Sequence, residues 1–151
     1  MKRISSLLLA LLMILTMSVT TFAAGATGTT ETKGSITIEN PKADETYTAY
    51  KIFDVVYSGE NYSYTIDSNT NKWFNTVKTY ADTEANGLKL TPVTGTTTYI
   101  VKTESTFSAA DFSNVLKAAK SGKTGTPLTL AGGKASATGL ELGYYFVTSE
   151  S

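Results

Sequence analysis

From residue 35 onward the chain alternates apolar and polar positions with a period of two. Ser35-Ile36-Thr37-Ile38-Glu39 is β-branched and alternating, as a half-buried strand requires, and Asn40-Pro41-Lys42-Ala43-Asp44 follows it with turn residues. Over residues 46–57 the apolar positions Tyr47, Tyr50, Ile52, Phe53, Val55, Val56 and Tyr57 load both faces, which predicts a strand in the middle of a sheet. Ser58-Gly59-Glu60-Asn61 makes a compact turn, and Tyr62-Ser63-Tyr64-Thr65-Ile66 returns with clean alternation, so the two runs read as a β-hairpin.

After the loop Asp67-Ser68-Asn69-Thr70-Asn71 the period changes. Trp73, Phe74, Val77 and Tyr80 recur at helical spacing, with Asn71 as the expected N-cap and Gly87 closing the segment. A second helix is marked by Ser108 and Asp111 at capping-box spacing, by Phe112, Val115, Leu116 and Ala119 on one face, and by Gly122 beyond its end. Such stripes could line ligand grooves, but they are the ordinary core-facing sides of amphipathic helices. Further strands are expected over residues 97–102, 127–130, 134–138 and 143–148. Six or seven strands with two short helices describe a mainly β protein, a β-sandwich with two short helical insertions.

The amino terminus follows a different pattern. Lys2 and Arg3 precede the apolar run from Leu7 to Leu15, and small residues surround Ala23, which together predict a cleaved signal peptide at residues 1–23. Thr16, Ser18, Thr20 and Thr21 interrupt the run too early for a membrane anchor. Residues 24–33 offer nothing large and apolar to bury and read as a flexible leader, leaving residues 34–151 as one sandwich domain. An extracellular location and no membrane association after signal cleavage follow from this reading.

Signal removal takes away the only arginine, Arg3, and leaves eleven lysines against thirteen acids in about 128 residues. A net charge near minus two, without a basic stripe, argues against a nucleic-acid partner. Cysteine and histidine are absent, which excludes disulfides and the usual zinc and copper sites. The absence of disulfides in an exported domain points toward a bacterial, Gram-positive source.

Candidate chemistry is thin. No serine lies in a Gly-x-Ser-x-Gly elbow, and no histidine exists to activate one. Asp44 with Glu45, Asp82 with Glu84, and Glu104 could in principle supply a glycosidase pair, yet they fall in polar turns and helix ends. Gly132-Gly133-Lys134 departs from a phosphate loop, and residues 67–71 carry the alternating oxygens of a calcium loop without its glycine and distant glutamate. Asn61-Tyr62-Ser63 matches a glycosylation acceptor, relevant only to a eukaryotic secretory route. The expectation is a protein that is not an enzyme and uses no cofactor and no metal.

One less common reaction involves Lys51. A neutral lysine can attack an Asn or Asp side chain and form an intramolecular isopeptide crosslink, and burial lowers a lysine's pKa toward that state. Simple alternation puts Lys51 on one face with Tyr47, Ala49, Phe53 and Val55, making it the candidate isopeptide lysine. The ordinary alternative, and the favoured one, has Lys51 near a sheet edge with its amine reaching water.

Gly34-Ser35-Ile36-Thr37-Ile38, Tyr47-Thr48-Ala49-Tyr50-Lys51-Ile52-Phe53, Tyr62-Ser63-Tyr64-Thr65-Ile66 and Leu140-Glu141-Leu142-Gly143-Tyr144-Tyr145-Phe146-Val147 resemble, in order and spacing, the N-terminal domain of sortase-assembled major pilins of Gram-positive bacteria. The resemblance covers residues 34–149. It implies an Ig-like, collagen-adhesin B-type β-sandwich. It also implies a structural role in a covalently polymerised cell-surface pilus shaft, with other pilin subunits and a pilin-specific sortase as partners. The acceptor lysine and the sorting signal of such proteins would lie beyond Ser151, so the domain is expected to be truncated at its C-terminal end. The family's usual crosslink is not matched, because the first strand ends in Glu39-Asn40 and Ser149 stands where the catalytic glutamate would be. The alternative function is an adhesin module that binds a host glycan or matrix protein. Exposed aromatics gathered in one concavity would favour it, whereas buried aromatics favour the shaft.

Overall fold

A computed structural model describes residues 33–58 and 60–151, so the predicted signal peptide and nearly all of the leader lie outside the described residues. The strands are β1 (Lys33–Glu39), β2 (Thr46–Ser58), β3 (Asn61–Asp67), β4 (Leu88–Pro92), β5 (Thr98–Thr103), β6 (Thr126–Pro127), β7 (Thr129–Ala131), β8 (Lys134–Glu141) and β9 (Gly143–Glu150). The helices are α1 (Phe74–Ala81) and α2 (Ala109–Ala119), with a 3-10 turn at Glu84–Asn86. The protein is mainly β: two antiparallel sheets form a sandwich, and the helices are short insertions.

The smaller sheet has the order β1-β8-β7, and the larger one runs β4-β5-β3-β2. Strand β2 is central, as its two apolar faces predict. Ala49 pairs with both Val147 and Thr126, and Asp54 with both Gly143 and Thr65, so β9 lies along one edge of β2 while β3 and β6 share the other. One core lies between the helices and the large sheet, where Ile52, Phe53, Ile66, Trp73, Val77 and Phe112 are buried. A second core joins the two sheets through Ile38, Ala49, Leu128, Ala135, Leu140 and Tyr145. The alanines leave room for the sheets to approach, and the aromatics fill the thicker helical side.

The ladder between β2 and β9 carries a bulge. Lys51 faces Tyr145 and Phe53 faces the next residue, Tyr144, so Ile52 is the extra residue. The bulge corrects the simple alternation at Lys51. Tyr47 and Ala49 lie on the side of the small sheet, whereas Ile52 and Phe53 both enter the helical core. The side-chain amide of Asn71 donates to the Ile52 carbonyl oxygen at 3.0 Å. Asn71 also accepts from the Trp73 backbone amide at 2.8 Å, so it shapes the turn before α1, which begins only at Phe74.

The second helix follows its predicted cap. Ser108 Oγ accepts from the Asp111 amide at 3.2 Å, satisfying one of the free N–H groups of the first turn. Two elements differ from expectation. Residues 88–92 form an edge strand, β4, and the expected strand over residues 127–130 is two short strands. β6 belongs to the large sheet and β7 to the small one, with buried Leu128 as the crossing point.

Candidate functional site

The bulge, the end of β8 and residues 124–126 enclose a cleft of about 320 Å³ lined by Ala49, Lys51, Gly125, Leu140, Glu141 and Tyr145. Gly125 lets the chain close over β2, since a Cβ there would stand 2.5 Å from Thr48 Cγ2 and 3.0 Å from the Ala49 carbonyl oxygen. Lys51 Nζ lies 2.6 Å from Asp54 Oδ1 and 2.8 Å from Glu141 Oε2, and the Tyr145 hydroxyl donates to the Glu141 carbonyl oxygen at 2.8 Å. Lys51 is thus neither at a sheet edge nor alone among apolar groups. It ties the bulge of the large sheet to the last residue of β8 in the small one.

The electrostatics decide what this amine can do. Burial pushes the Lys51 ammonium down, but the hydrogen bonds and charges of Asp54 and Glu141 outweigh it and hold the group above the ordinary lysine value. The hydrogen bond from Lys51 in turn holds the Glu141 carboxyl below the ordinary glutamate range. A protonated amine has no free lone pair with which to attack a carboxyl carbon. The expected outcome is therefore an intact mass of a protein spanning residues 34–151 with no deficit of an ammonia or a water; a deficit of either would show that a crosslink forms.

The oxygen-rich loop after β3 has its own occupation. Asp67 Oδ1 accepts from the amides of Asn69 at 2.8 Å and Thr70 at 2.9 Å, and Oδ2 accepts from Thr97 Oγ1 at 2.5 Å. The carboxylate is spent on closing its own turn and joining it to the β4–β5 connection. These bonds, that from Thr97 foremost, lower the Asp67 pKa from 3.8 to about 2. A folded-state pKa below the unfolded one means that the stabilisation is complete above about pH 4 and is lost as the pH falls through about 2. Denaturation of Asp67→Ala against pH should lack that part of the acid limb. An acid limb identical to the parent's would rule the role out.

The other acids are dispersed. Glu45 pairs with Lys42 at 2.9 Å and Asp82 with Lys78 at 2.8 Å, while Glu84 and Glu104 lie 3.6 and 4.0 Å from Lys89. Among the described residues no three acids come together as metal ligands, and no helix is long and apolar enough to cross a membrane. Lys134, after the turn at Gly132 and Gly133, pairs with Glu39 at 2.7 Å across the β1–β8 ladder. Asn61 and Ser63 are exposed at the start of β3. A shallow groove of about 500 Å³ beside α1 is lined by Thr76, Thr79, Thr83 and Val115 and by one side of the largely buried Tyr80, while Trp73, Phe74, Val77, Phe112 and Leu116 face the core.

Sequence reasoning singled out Lys51 but not Asp54 or Glu141. Alternation across an unrecognised bulge hid the first, and ninety residues of separation hid the second. Compared with protein-family models, with curated proteins and with solved structures, the chain finds no match.

Proposed function

We propose that this chain is the N-terminal domain of an exported subunit in a covalently polymerised pilus shaft of a Gram-positive bacterium, with a structural rather than a catalytic task. One observation carries the reading. The segment Tyr47 to Phe53, the most specific part of the resemblance, is the central strand on which both cores are built, so its aromatic and aliphatic residues are used for packing. The dispersal of the acids into separate ion pairs is in keeping with a load-carrying module. The proposal includes other subunits and a pilin-specific sortase as partners, and the cell surface as the location.

Sequencing the coding DNA past Ser151 in the source organism tests this reading. The expected result is a downstream lysine motif, further sandwich domains and a sorting signal with an apolar span and basic tail. A stop codon directly after Ser151 would remove the means of sortase attachment and overturn it.

A further inference from the structure

The β2–β3 hairpin extends beyond the two cores and carries the most exposed large hydrophobic side chains among the described residues. Tyr57 is 61% exposed and Tyr62 63% exposed, and the two are direct cross-strand partners, so their rings project from the same face. Beneath them the ladder continues inward. Tyr62 stands edge-to-face on Tyr64 at 5.8 Å, and Tyr64 stands edge-to-face on Tyr144 at 5.9 Å. Tyr144 packs on buried Phe53 at 5.4 Å. The exposed Tyr62 ring is therefore buttressed by a chain of rings anchored in the core, and a ligand that stacks on it pays little ordering entropy.

The character of the face narrows the occupant. Val55 and Tyr64 are cross-strand partners, as are Tyr64 and Val101, and none of these positions brings a charge to the face; Asp54 pairs with Thr65 on the opposite face, the Asp67 carboxylate is taken up by Thr70 and Thr97 at the far end of β3, and Glu60 is in the turn. A charge-free surface of aromatic rings tipped with hydroxyls complements a neutral ligand that has apolar faces and a hydroxylated rim. The area points the same way. Two tyrosines at these exposures offer on the order of 250 Å², from roughly 150–250 Å² per aromatic side chain. A stable protein partner or second copy needs roughly 800 Å² on each side.

We infer that Tyr57 and Tyr62 form a contact platform for a neutral glycan of glucose-type or N-acetylglucosamine-type rings. In such rings equatorial substituents leave the axial C–H groups free to lie on the negative face of an aromatic ring. The phenol hydroxyls lie at the level of the sugar hydroxyls and can exchange hydrogen bonds with them. The platform stands on the tyrosine array and does not depend on whether the domain is polymerised.

The test is a titration of the mature chain with cellohexaose and, separately, with the hexamer of N-acetylglucosamine, read by the NMR signals of the tyrosine ring protons. At least one hexasaccharide should give saturable shifts at Tyr57 and Tyr62. Tyr57→Ala and Tyr62→Ala should each weaken binding about tenfold, the equivalent of one lost aromatic contact, and the double variant should lose saturation. Both side chains lie outside the two cores, so all variants should stay folded, with a cooperative melt whose midpoint falls only by the several degrees that the lost Tyr62–Tyr64 and cross-strand contacts account for; this controls for folding. Three results would overturn the inference: no shifts with either hexasaccharide, shifts that persist unchanged in the double variant, or a self-association abolished by the double variant, which would show that a second copy covers the face.

Discussion

Phe112→Ala is expected to destabilise the domain by about 3–5 kcal/mol, the cost of emptying a fully buried aromatic site. Phe112 is 0% exposed and forms the hub of the helical core. Its ring stacks on Phe53 of β2 at 6.0 Å with the planes 6° apart, and Tyr80 of α1 and Phe107 meet it at 5.0 and 5.7 Å. One substitution thus removes a contact that joins both helices to the central strand, leaving α1 held to it by Trp73 on Tyr50. Against a total stability of about 5–15 kcal/mol the loss leaves a marginal domain, with a thermal midpoint lowered on the order of 10–20 °C. Urea denaturation of the two proteins measures it directly. A cost within about 0.5 kcal/mol, the ordinary range of surface substitutions, would mean that the helices do not pack on the sheet as described.

Gly143→Ala should rank second, at about 3 kcal/mol, the upper part of the range for overpacking. A Cβ on Gly143 would run into the backbone carbonyl oxygen of Phe53 and stand 2.8 Å from Lys51 Cε. The obstacle is main chain held in the bulge, so the clash cannot be relieved by turning a side chain. Relief requires β9 to separate from β2 where Lys51 is paired with Asp54 and Glu141. Denaturation should show the loss, and the Gly143→Ala protein should also lose the low Glu141 pKa in a carboxylate titration followed by NMR. A variant as stable as the parent would contradict the bulge.

These two positions also show where the sequence speaks and where it is silent. The helix containing Phe112 is legible because its cap, its apolar face and its stop all lie within fifteen residues of one another. The hairpin of β2 and β3 is legible for the same reason. The bulge opposite Tyr144 and Tyr145, next to Gly143, is not, because Tyr50, Ile52, Phe53, Val55, Val56 and Tyr57 load both faces of β2, and a strand apolar on both sides carries no phase from which a slip could be detected. Strand β4 escaped because five residues ending in Pro92 are held by a ladder to β5 and have little local signature. The crossing at Leu128 depends on which sheet each neighbour joins, a property of distant residues.

Of the candidate site, Lys51 could be read from the sequence but its setting could not. Its chemistry turns on Asp54, brought to it across the bulge, and on Glu141, brought to it by the packing of one sheet on the other. The oxygen-rich loop after β3 was legible as a loop with ligand-like spacing. That its first carboxylate is spent on Asn69, Thr70 and Thr97 depends on the placement of the β4–β5 connection thirty residues away.

The function proposed for this domain is that of one link in a covalent polymer at the cell surface. An antibody raised against residues 34–151 decides it on cell-wall extracts of the source organism boiled in detergent. A covalent shaft would give a ladder of bands far above the size of a single chain that survives boiling and disappears when a pilin-specific sortase is deleted from the organism. A single band of monomer size in the culture medium, unchanged by the deletion, would contradict it.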